Sequence, residues 1–424
     1  MIKSLRPLTT LLVALLTLSA CHESEPEPTP QWPPRPKPEI ADQTLLFYFS
    51  GRSLLSYFRD VNIPEIRSAI DKHILYDSRL LVYIQPSTQQ SLLIEYSFDY
   101  STQASRADTL RTYEGRSSID KEHIVEVLSD LQTLAPSKRY AMVMGSHGGG
   151  WVPQEYPNLR ANESSGDEGD IWTLEPEAHE PASWLYKSPG AEATRWFGEH
   201  DNQTTDIATW AAAFAEAPIR MEYLIFDACF MSNIEALYEL RHAARYIVAS
   251  PCEIMGRGIS YATALPPLFA NQGREYNLER FCHAFHDFYS TTTDTRQSGC
   301  IALTDCSELE AMADATSNLL KGNLREVNPS LLQVYEGLMR PLFYDFRQYI
   351  EALSDDPAAL AAFEEQFDRT FPEQYRLHTP EFYSGYNGGM NPITYYSGIS
   401  TSQPSNKFPN AWQACKWAKR INEQ

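Results

Sequence analysis

A histidine and a cysteine each follow an apolar run that is typical of a buried β-strand. His147 lies in Ser-His-Gly-Gly-Gly-Trp after the run Tyr140–Met144, and Cys229 lies in Asp-Ala-Cys-Phe-Met-Ser after Tyr223–Phe226. The carboxyl ends of parallel strands share one edge of a sheet, where α/β proteins build their sites. A cysteine beside a histidine base can act as a thiolate nucleophile. The pattern therefore predicts a Cys–His pair at a sheet edge.

The residues around this pair favour nucleophilic catalysis. Ser232, with Glu235 three residues later, predicts a capping box, so Cys229 would precede a helix N-terminus that lowers the pKa of its thiol. The glycines after His147 allow close backbone approach, and the amides of Gly148 and Cys229 are predicted to bind a developing oxyanion. The alternative interpretation is an ordinary core histidine and an inert buried thiol.

Composition excludes several classes of function. The chain has 424 residues, a net charge of −20 and a pI near 4.9, which disfavours nucleic acid as a partner because phosphate binding needs clustered Lys and Arg. Its seven cysteines show no CxxC spacing, so metal and redox motifs are absent and we expect mostly buried thiols. Neither Gly-x-Ser-x-Gly nor His-Glu-x-x-His occurs, which ranks a serine or metal hydrolase low.

The N-terminus is typical of an export signal. Lys3 and Arg6 precede the apolar run Leu11–Leu18, which is too short for a normal membrane-spanning helix. Leu-Ser-Ala-Cys, ending at Cys21, resembles the lipobox of bacterial lipoproteins, in which the cysteine becomes lipidated and is the mature first residue. Residues 22–41 are rich in proline and acidic side chains and are predicted to be an extended tether. We therefore expect a lipid-anchored protein of the cell envelope.

From residue 42 onwards, strand-like and helical patterns alternate, which favours an α/β fold with a mostly parallel sheet and helices on both faces. Strands are predicted at Leu45–Phe49, Leu80–Ile84, Leu92–Tyr96, Tyr140–Met144, Tyr223–Phe226, Tyr246–Ala249 and Cys300–Leu303. Helices are predicted at Ile119–Leu134, Ile207–Ala217, Asn233–Ala243 and Leu278–Phe288. The polar segment 152–205 is expected to be a functional loop or insertion. Beyond Leu319, helices are followed by turns and short strands at Tyr383–Tyr396.

Two motifs together resemble the clostripain family of cysteine peptidases. They are the strand followed by Ser-His-Gly-Gly-Gly-Trp, and the strand followed by Asp-Ala-Cys-Phe-Met-Ser-Asn-Ile-Glu-Ala-Leu-Tyr-Glu-Leu over residues 227–240. The stretch Tyr396–Ser400 resembles the late Gly-Leu-Ser strand of that family. The resemblance implies a caspase-like α/β/α sandwich with a mostly parallel sheet and a C-terminal α+β extension. The expected division is a signal peptide (1–21), a tether (22–41), a peptidase core (42–320) and a C-terminal subdomain of the same unit (321–424).

The resemblance also implies roles for particular residues. His147 would be the general base and Cys229 the nucleophile, without an essential third residue. Relatives typically cleave after Arg or Lys, which an acidic side chain recognises, and Asp227 occupies the matching position. Glu253 and Asp201 are further candidates for this negative charge. The turn Ser50-Gly51-Arg52 departs from the more acidic turn of relatives, which puts details of the substrate pocket in doubt.

Further expectations concern processing, cofactors and partners. Family members are often cut between the histidine and the cysteine, and segment 152–205 carries Arg160, Lys187 and Arg195 as cleavage sites. The chemistry requires no cofactor and no metal residues are assigned, although some relatives need or bind calcium. We expect a monomer that acts on proteins or peptides from the outer membrane, with periplasmic and surface orientations both open. The alternative function is an inactive surface-binding lipoprotein on a clostripain-like scaffold.

Overall fold

The computed structural model describes residues 32–51, 53–151, 197–200, 203–270, 273–293, 295–405 and 408–423. Its centre is a nine-stranded sheet in the order β12-β10-β9-β8-β5-β1-β2-β3-β4. These strands are β1 Thr44–Phe49, β2 Arg79–Ser87, β3 Gln90–Asp99, β4 Ala104–Glu114, β5 Tyr140–Gly145, β8 Met221–Asp227, β9 Ala244–Ala249, β10 Cys300–Asp305 and β12 Leu377–His378. The five central strands, β9 to β2 in that order, run parallel, and both flanks are antiparallel.

The central strands are mostly apolar because helices cover both faces of the sheet. Every residue of β1 and β5 is buried. Along β1, Leu46 and Tyr48 enter one hydrophobic core, whereas Leu45, Phe47 and Phe49 enter the other. This alternation follows from the two-residue period of a strand. The α/β/α sandwich that the sequence predicts is therefore confirmed.

Helices on the two faces complete the cores. The first core is built mainly by α3 Lys121–Leu134, α4 Ile207–Glu216, α5 Ile234–Glu239, α8 Leu309–Leu320, α9 Phe346–Leu353, α10 Pro357–Thr370 and α12 Lys416–Asn422. The second is built mainly by α2 Ile63–Ile70, α6 Tyr261–Ala264 and α7 Leu278–Thr291. The remaining short elements lie outside the main layers. They are the helices α1 Leu55–Tyr57 and α11 Pro409–Ala414 and the strands β6 Glu199–His200, β7 Gln203–Thr204, β11 Tyr344–Asp345, β13 Glu381–Ser384, β14 Gly389–Pro392 and β15 Ser400–Thr401.

Two residues of the predicted tether contact the domain, although residues 32–40 are largely exposed. The backbone of Trp32 exchanges hydrogen bonds with the side chain of Gln103, and its indole stacks on His73 with 4.6 Å between ring centroids. Lys37 forms an ion pair with Glu95 of β3. A large aromatic ring can make such a contact even inside a proline-rich segment, so the tether of 22–41 stays a prediction.

Candidate active site

The register of the parallel strands brings the two predicted motifs to one edge. Phe49, the last residue of β1, pairs with Gly145 of β5, and Gly145 pairs with Asp227 of β8. His147 and Cys229 each lie two residues beyond the paired residues of their own strands. The two loops therefore leave neighbouring strands at the same level of the sheet. Both residues are only partly exposed.

Gly148 packs directly against the backbone of the cysteine loop. A Cβ atom at this position would lie 2.5 Å from the carbonyl oxygen of Cys229 and 3.0 Å from Cβ of Ala228. Real Cβ contacts are never this short, so only glycine fits. Within the described part of the chain, neither the amide of Gly148 nor that of Cys229 has a hydrogen-bond acceptor. Two unused N–H donors beside the thiol are what an oxyanion site requires.

The surroundings of the Cys229 thiol disfavour its ionisation. Its Sγ atom donates to the carbonyl oxygen of Ile254 over 3.8 Å. Burial raises the pKa of the Cys229 thiol, and the nearby carboxylate of Glu253 raises it further. The expected lowering of this pKa by a helix N-terminus is therefore wrong for the resting structure. A proton acceptor must remove the thiol proton when the nucleophile is formed.

The predicted capping box is also wrong. Helix α5 begins one residue later than expected, with Asn233 as N-cap, and the Asn233 side chain accepts from the amide of Ala236 over 3.2 Å. The hydroxyl of Ser232 instead donates to the carbonyl of Gly398 over 2.8 Å. Glu235 turns to the C-terminal segment rather than to the helix start. These partners lie more than 160 residues away, so local spacing could not reveal them.

A serine missed by the sequence analysis contacts the histidine. Nε2 of His147 lies 3.1 Å from Oγ of Ser53, which follows the end of β1. A hydrogen bond to one imidazole nitrogen fixes the ring orientation and the tautomer. The sequence held one signal for this contact: the turn that starts at Ser50 follows a predicted strand. Parallel neighbouring strands end at the same edge of a sheet, so this turn was expected near the histidine and cysteine loops.

Phe230, directly after the cysteine, has an unusual backbone conformation. Its φ is +61°, in the left-handed region that side chains rarely adopt. Its amide donates to the carbonyl of Cys252 over 3.1 Å, and its buried ring stacks on Phe343 with 4.9 Å between centroids. The ring also stacks on Tyr386. Packing thus holds a strained residue beside Cys229, as is common at functional sites.

Asp227, the predicted specificity residue, holds the loop that precedes α6. Its carboxylate accepts from the amide of Ile259 over 3.2 Å and from the hydroxyl of Tyr261 over 2.7 Å. It also lies so close to Gly258 that a Cβ there would approach within 2.7 Å. Burial raises the pKa of Asp227 to about 6. The side chain remains half-buried at the site edge, so its observed bonds are those of a loop-holding carboxylate.

Glu253 is the acidic side chain whose charge acts most strongly on the Cys229 thiol. Both of its oxygens accept from the amide of Gly385 over 3.1 Å. Burial raises the pKa of Glu253 to about 7, and its negative charge opposes ionisation of Cys229. Glu253 therefore lies close enough to the nucleophile to influence thiol reactivity.

Several predicted features lie outside the described residues. They are the lipidation site Cys21, the alternative pocket residue Asp201, and the cleavage candidates Arg160, Lys187 and Arg195. No helix in the described part of the chain is long and apolar enough to cross a membrane. Across the described ranges, no group of three or more His, Cys, Asp or Glu side chains could hold a metal ion. Calcium binding stays an expectation of the resemblance, and no step below depends on it.

Comparison with known proteins agrees with this geometry. Residues 182–354 match the clostripain family, Peptidase C11. The chain is a clostripain-family cysteine peptidase. The crystal structure of iotapain, a secreted C11 cysteine protease from Bacteroides thetaiotaomicron, is 29% identical with a TM-score of 0.75, covering 91% of this chain and 100% of that one. No curated protein matches the sequence.

Two further solved structures share the fold of this clostripain-family chain. An inactive zymogen C11 protease from Parabacteroides distasonis is 24% identical with a TM-score of 0.72, and the match covers 91% of this chain and 99% of that one. A secreted C11 protease from Bacteroides thetaiotaomicron, in complex with an irreversible peptide inhibitor, is 22% identical with a TM-score of 0.70. That match covers 90% of this chain and 99% of the other. The caspase-like fold and the peptidase class are thus confirmed.

Proposed function

We propose that this peptidase is an endopeptidase in which Cys229 is the nucleophile and His147 the general base. One observation carries the proposal: paired strands place both residues at the same level of one sheet edge, with Gly148 packed on the Cys229 backbone. Because burial favours the protonated form of the Cys229 thiol, His147 would take its proton as the sulfur attacks the scissile carbonyl. The proton then passes to the leaving amine, and water hydrolyses the thioester that remains.

The amides of Gly148 and Cys229 would stabilise the tetrahedral intermediate. Both N–H groups lack acceptors among the described residues, and removing one oxyanion donor typically costs about 100-fold or more in rate. A clear test is hydrolysis of a fluorogenic peptide by the wild type, Cys229→Ala and His147→Ala. We expect both variants to lose activity by at least about 1,000-fold while remaining folded. Retained activity in Cys229→Ala would overturn the proposal.

We further propose that cleavage follows Arg or Lys, with Asp227 supplying the negative charge and Glu253 assisting. A carboxylate recognises a guanidinium through paired charge-assisted hydrogen bonds. The half-buried Asp227 carboxylate has about four acceptor positions, so its bonds to Ile259 and Tyr261 leave capacity for a ligand. The test compares substrates that differ only in Arg or Leu before the cut bond. Equal cleavage of the two would sink the specificity proposal and leave the dyad standing.

We also propose that Cys21 carries a lipid anchor and places the enzyme in the outer membrane. The lipobox-like ending at Cys21 supports this, and iotapain is described as secreted. Cys21→Ser should release the protein into the soluble fraction and remove the acylated N-terminal peptide from mass spectra. Unchanged membrane association of that variant would contradict the anchor.

Self-processing within 152–205 is proposed as a further property of the same enzyme. The segment lies between His147 and Cys229 in the sequence and carries Arg160, Lys187 and Arg195. We expect purified wild type to appear as two chains and Cys229→Ala as one. A wild type that is fully active as a single band would show that no such cut is needed.

A further inference from the structure

The C-terminal segment 398–402 contacts both loops of the proposed active site. On the cysteine side, the amide of Ser400 donates to the carbonyl of Ser232 over 2.9 Å, and Asn233 and Ser400 form a parallel β-bridge. On the histidine side, the indole N–H of Trp151 donates to the hydroxyl of Ser402. Trp151 lies four residues after His147. A stretch distant in sequence therefore joins the two loops.

One buried carboxylate holds this segment in place. Oε1 of Glu235 accepts from Oγ1 of Thr401 over 2.9 Å, from the amide of Ser402 over 3.0 Å, and from the indole of Trp412 over 3.0 Å. The residue is only 2% exposed. Its other oxygen, Oε2, has no hydrogen-bond partner among the described residues. Burying a carboxylate in this way is costly, so the arrangement needs a reason beyond stability.

We propose that Glu235 is a positioning residue that aligns the His147 loop with the Cys229 loop through Ser402 and Trp151. Helix α5, which carries Glu235, begins shortly after the nucleophile. The backbone of Ser402 is fixed by Glu235, and its hydroxyl accepts from Trp151. The carboxylate thus fixes where the histidine loop ends relative to the cysteine loop.

The histidine loop needs such an anchor because its own residues supply few side-chain contacts. Gly148, Gly149 and Gly150 separate His147 from Trp151, and glycines have the largest conformational freedom of all residues. The indole is the first side chain after this turn that can be held. A misplacement of about 1 Å between reacting groups can cost about 100-fold in rate, so a fixed indole matters for catalysis.

The inference rests on the proposed dyad, and its test uses two readouts. Peptide hydrolysis gives kcat and KM separately, and iodoacetamide labelling of Cys229 across pH reports the thiol and its histidine without any peptide. We expect Ser402→Ala to lower kcat about 5-fold and Glu235→Ala to lower it about 50-fold, with KM changed less than about 2-fold. Glu235→Gln keeps an acceptor oxygen and should recover kcat to within about 5-fold of the wild type.

A matched control separates positioning from stability. Glu95, on β3, is a buried carboxylate that forms ion pairs with Arg79 and Lys37. Glu95→Ala should lower the melting temperature without changing the kinetics of the folded enzyme. If Glu235→Ala and Ser402→Ala only lower the melting temperature and keep the wild-type kcat and labelling profile, the inference is wrong. If Glu235→Ala does not fold, the milder Ser402→Ala and Trp151→Phe decide by the same criterion.

The outcome also distinguishes this inference from the proposed function. A wild type that neither cleaves peptides nor shows His147-dependent labelling overturns the dyad, and the positioning role falls with it. If the wild type cleaves peptides and shows His147-dependent labelling, and Ser402→Ala and Glu235→Ala do so equally well, the positioning role alone is overturned.

Discussion

The loops after β5 and β8 both contain a left-handed residue, but they use different residue types for it. In the histidine loop this residue is Gly150, with φ +64°, and in the cysteine loop it is Phe230, with φ +61°. Glycine adopts this conformation without strain, whereas a side chain there costs about 1–2 kcal/mol. The histidine loop therefore gains close backbone approach, and the cysteine loop gains a ring that packs on Phe343. The histidine loop depends on glycines that lack side chains, whereas the cysteine loop depends on the packing of the Phe230 side chain.

The strained residue gives the largest expected effect. Phe230→Ala should lower the free energy of unfolding by about 3–5 kcal/mol because a buried ring is lost while the strain stays. Phe230→Gly loses the same ring but relieves the strain, so it should be about 1 kcal/mol more stable than Phe230→Ala. Chemical denaturation of the three proteins measures this order.

A helical phenylalanine supplies the control for this prediction. Phe367 is fully buried within α10, where glycine is less favourable than alanine by about 1 kcal/mol. The Gly and Ala variants should therefore have the opposite order at Phe367. The same order at both positions would show that strain at Phe230 does not contribute to stability.

The missing side chain at Gly148 gives the next largest effect. Gly148→Ala puts a Cβ 2.5 Å from the carbonyl oxygen of Cys229, so the two loops must separate. We expect kcat/KM to fall by about 100-fold, or about 2.7 kcal/mol. Gly115→Ala is the control, since Gly115 also has positive φ but meets nothing within 4 Å. It should lose about 1 kcal/mol of stability and keep its activity; an active Gly148→Ala would contradict close packing of the loops.

Glu253 tests the electrostatics of the cysteine loop. Its carboxylate raises the pKa of Cys229, so Glu253→Gln should move the pH midpoint of Cys229 alkylation down by about 1 unit. Glu253 has its own pKa raised to about 7, so the variant and the wild type should react most differently above that pH. The variant Glu95→Gln, on distant β3, should leave the midpoint unchanged.

Stability should respond to Glu253 with a defined sign. A carboxyl whose folded pKa is raised binds its proton more tightly when folded, so its stabilisation is present below its unfolded pKa and is lost as pH rises through about 7. Between pH 4.5 and 7, the wild type should therefore lose about 2.5 kcal/mol relative to Glu253→Gln. Parallel stability curves for the two proteins would refute this assignment.

Ser53 gives the smallest effect, on the histidine loop. Removing its hydroxyl in Ser53→Ala takes one hydrogen bond of about 1 kcal/mol from the imidazole, so kcat should fall about 5-fold. Ser53→Thr keeps the hydroxyl and should stay within about 2-fold of the wild type. Equal kcat values for all three proteins would mean that Ser53 does not orient His147.

The elements of the sheet were largely predictable, and their sequence patterns explain why. The predicted strand Tyr140–Met144 lies within β5, and Leu45–Phe49 lies within β1, because strands buried on both faces are continuous apolar runs. The edge strand β4, Ala104–Glu114, was missed because it is mostly polar and exposed. The sequence therefore revealed the strands that are buried, through their apolar runs, and not the strand that is exposed.

At the site, residue types were predictable and hydrogen-bond partners were not. His147 and Cys229 could be placed at one edge from strand ends alone. The role of Ser232 could not, because its hydroxyl bonds Gly398, a residue 166 positions away. The direction of the thiol pKa shift was misjudged for the same reason, since burial and the charge of Glu253 raise the pKa of Cys229. Long-range packing decided both.

The contacts of Trp32 with His73 and Gln103 would limit the reach of the enzyme if Cys21 carries the proposed lipid anchor. With a lipid on Cys21, only residues 22–31 would be available to span the distance between the bilayer and the domain. Ten fully stretched residues reach at most about 35 Å, roughly the diameter of a small domain. The catalytic edge of the sheet would then act only within a thin layer above the membrane surface. Substrates would have to enter that layer, and a protein that diffuses farther out would be cut only when it approaches the membrane surface.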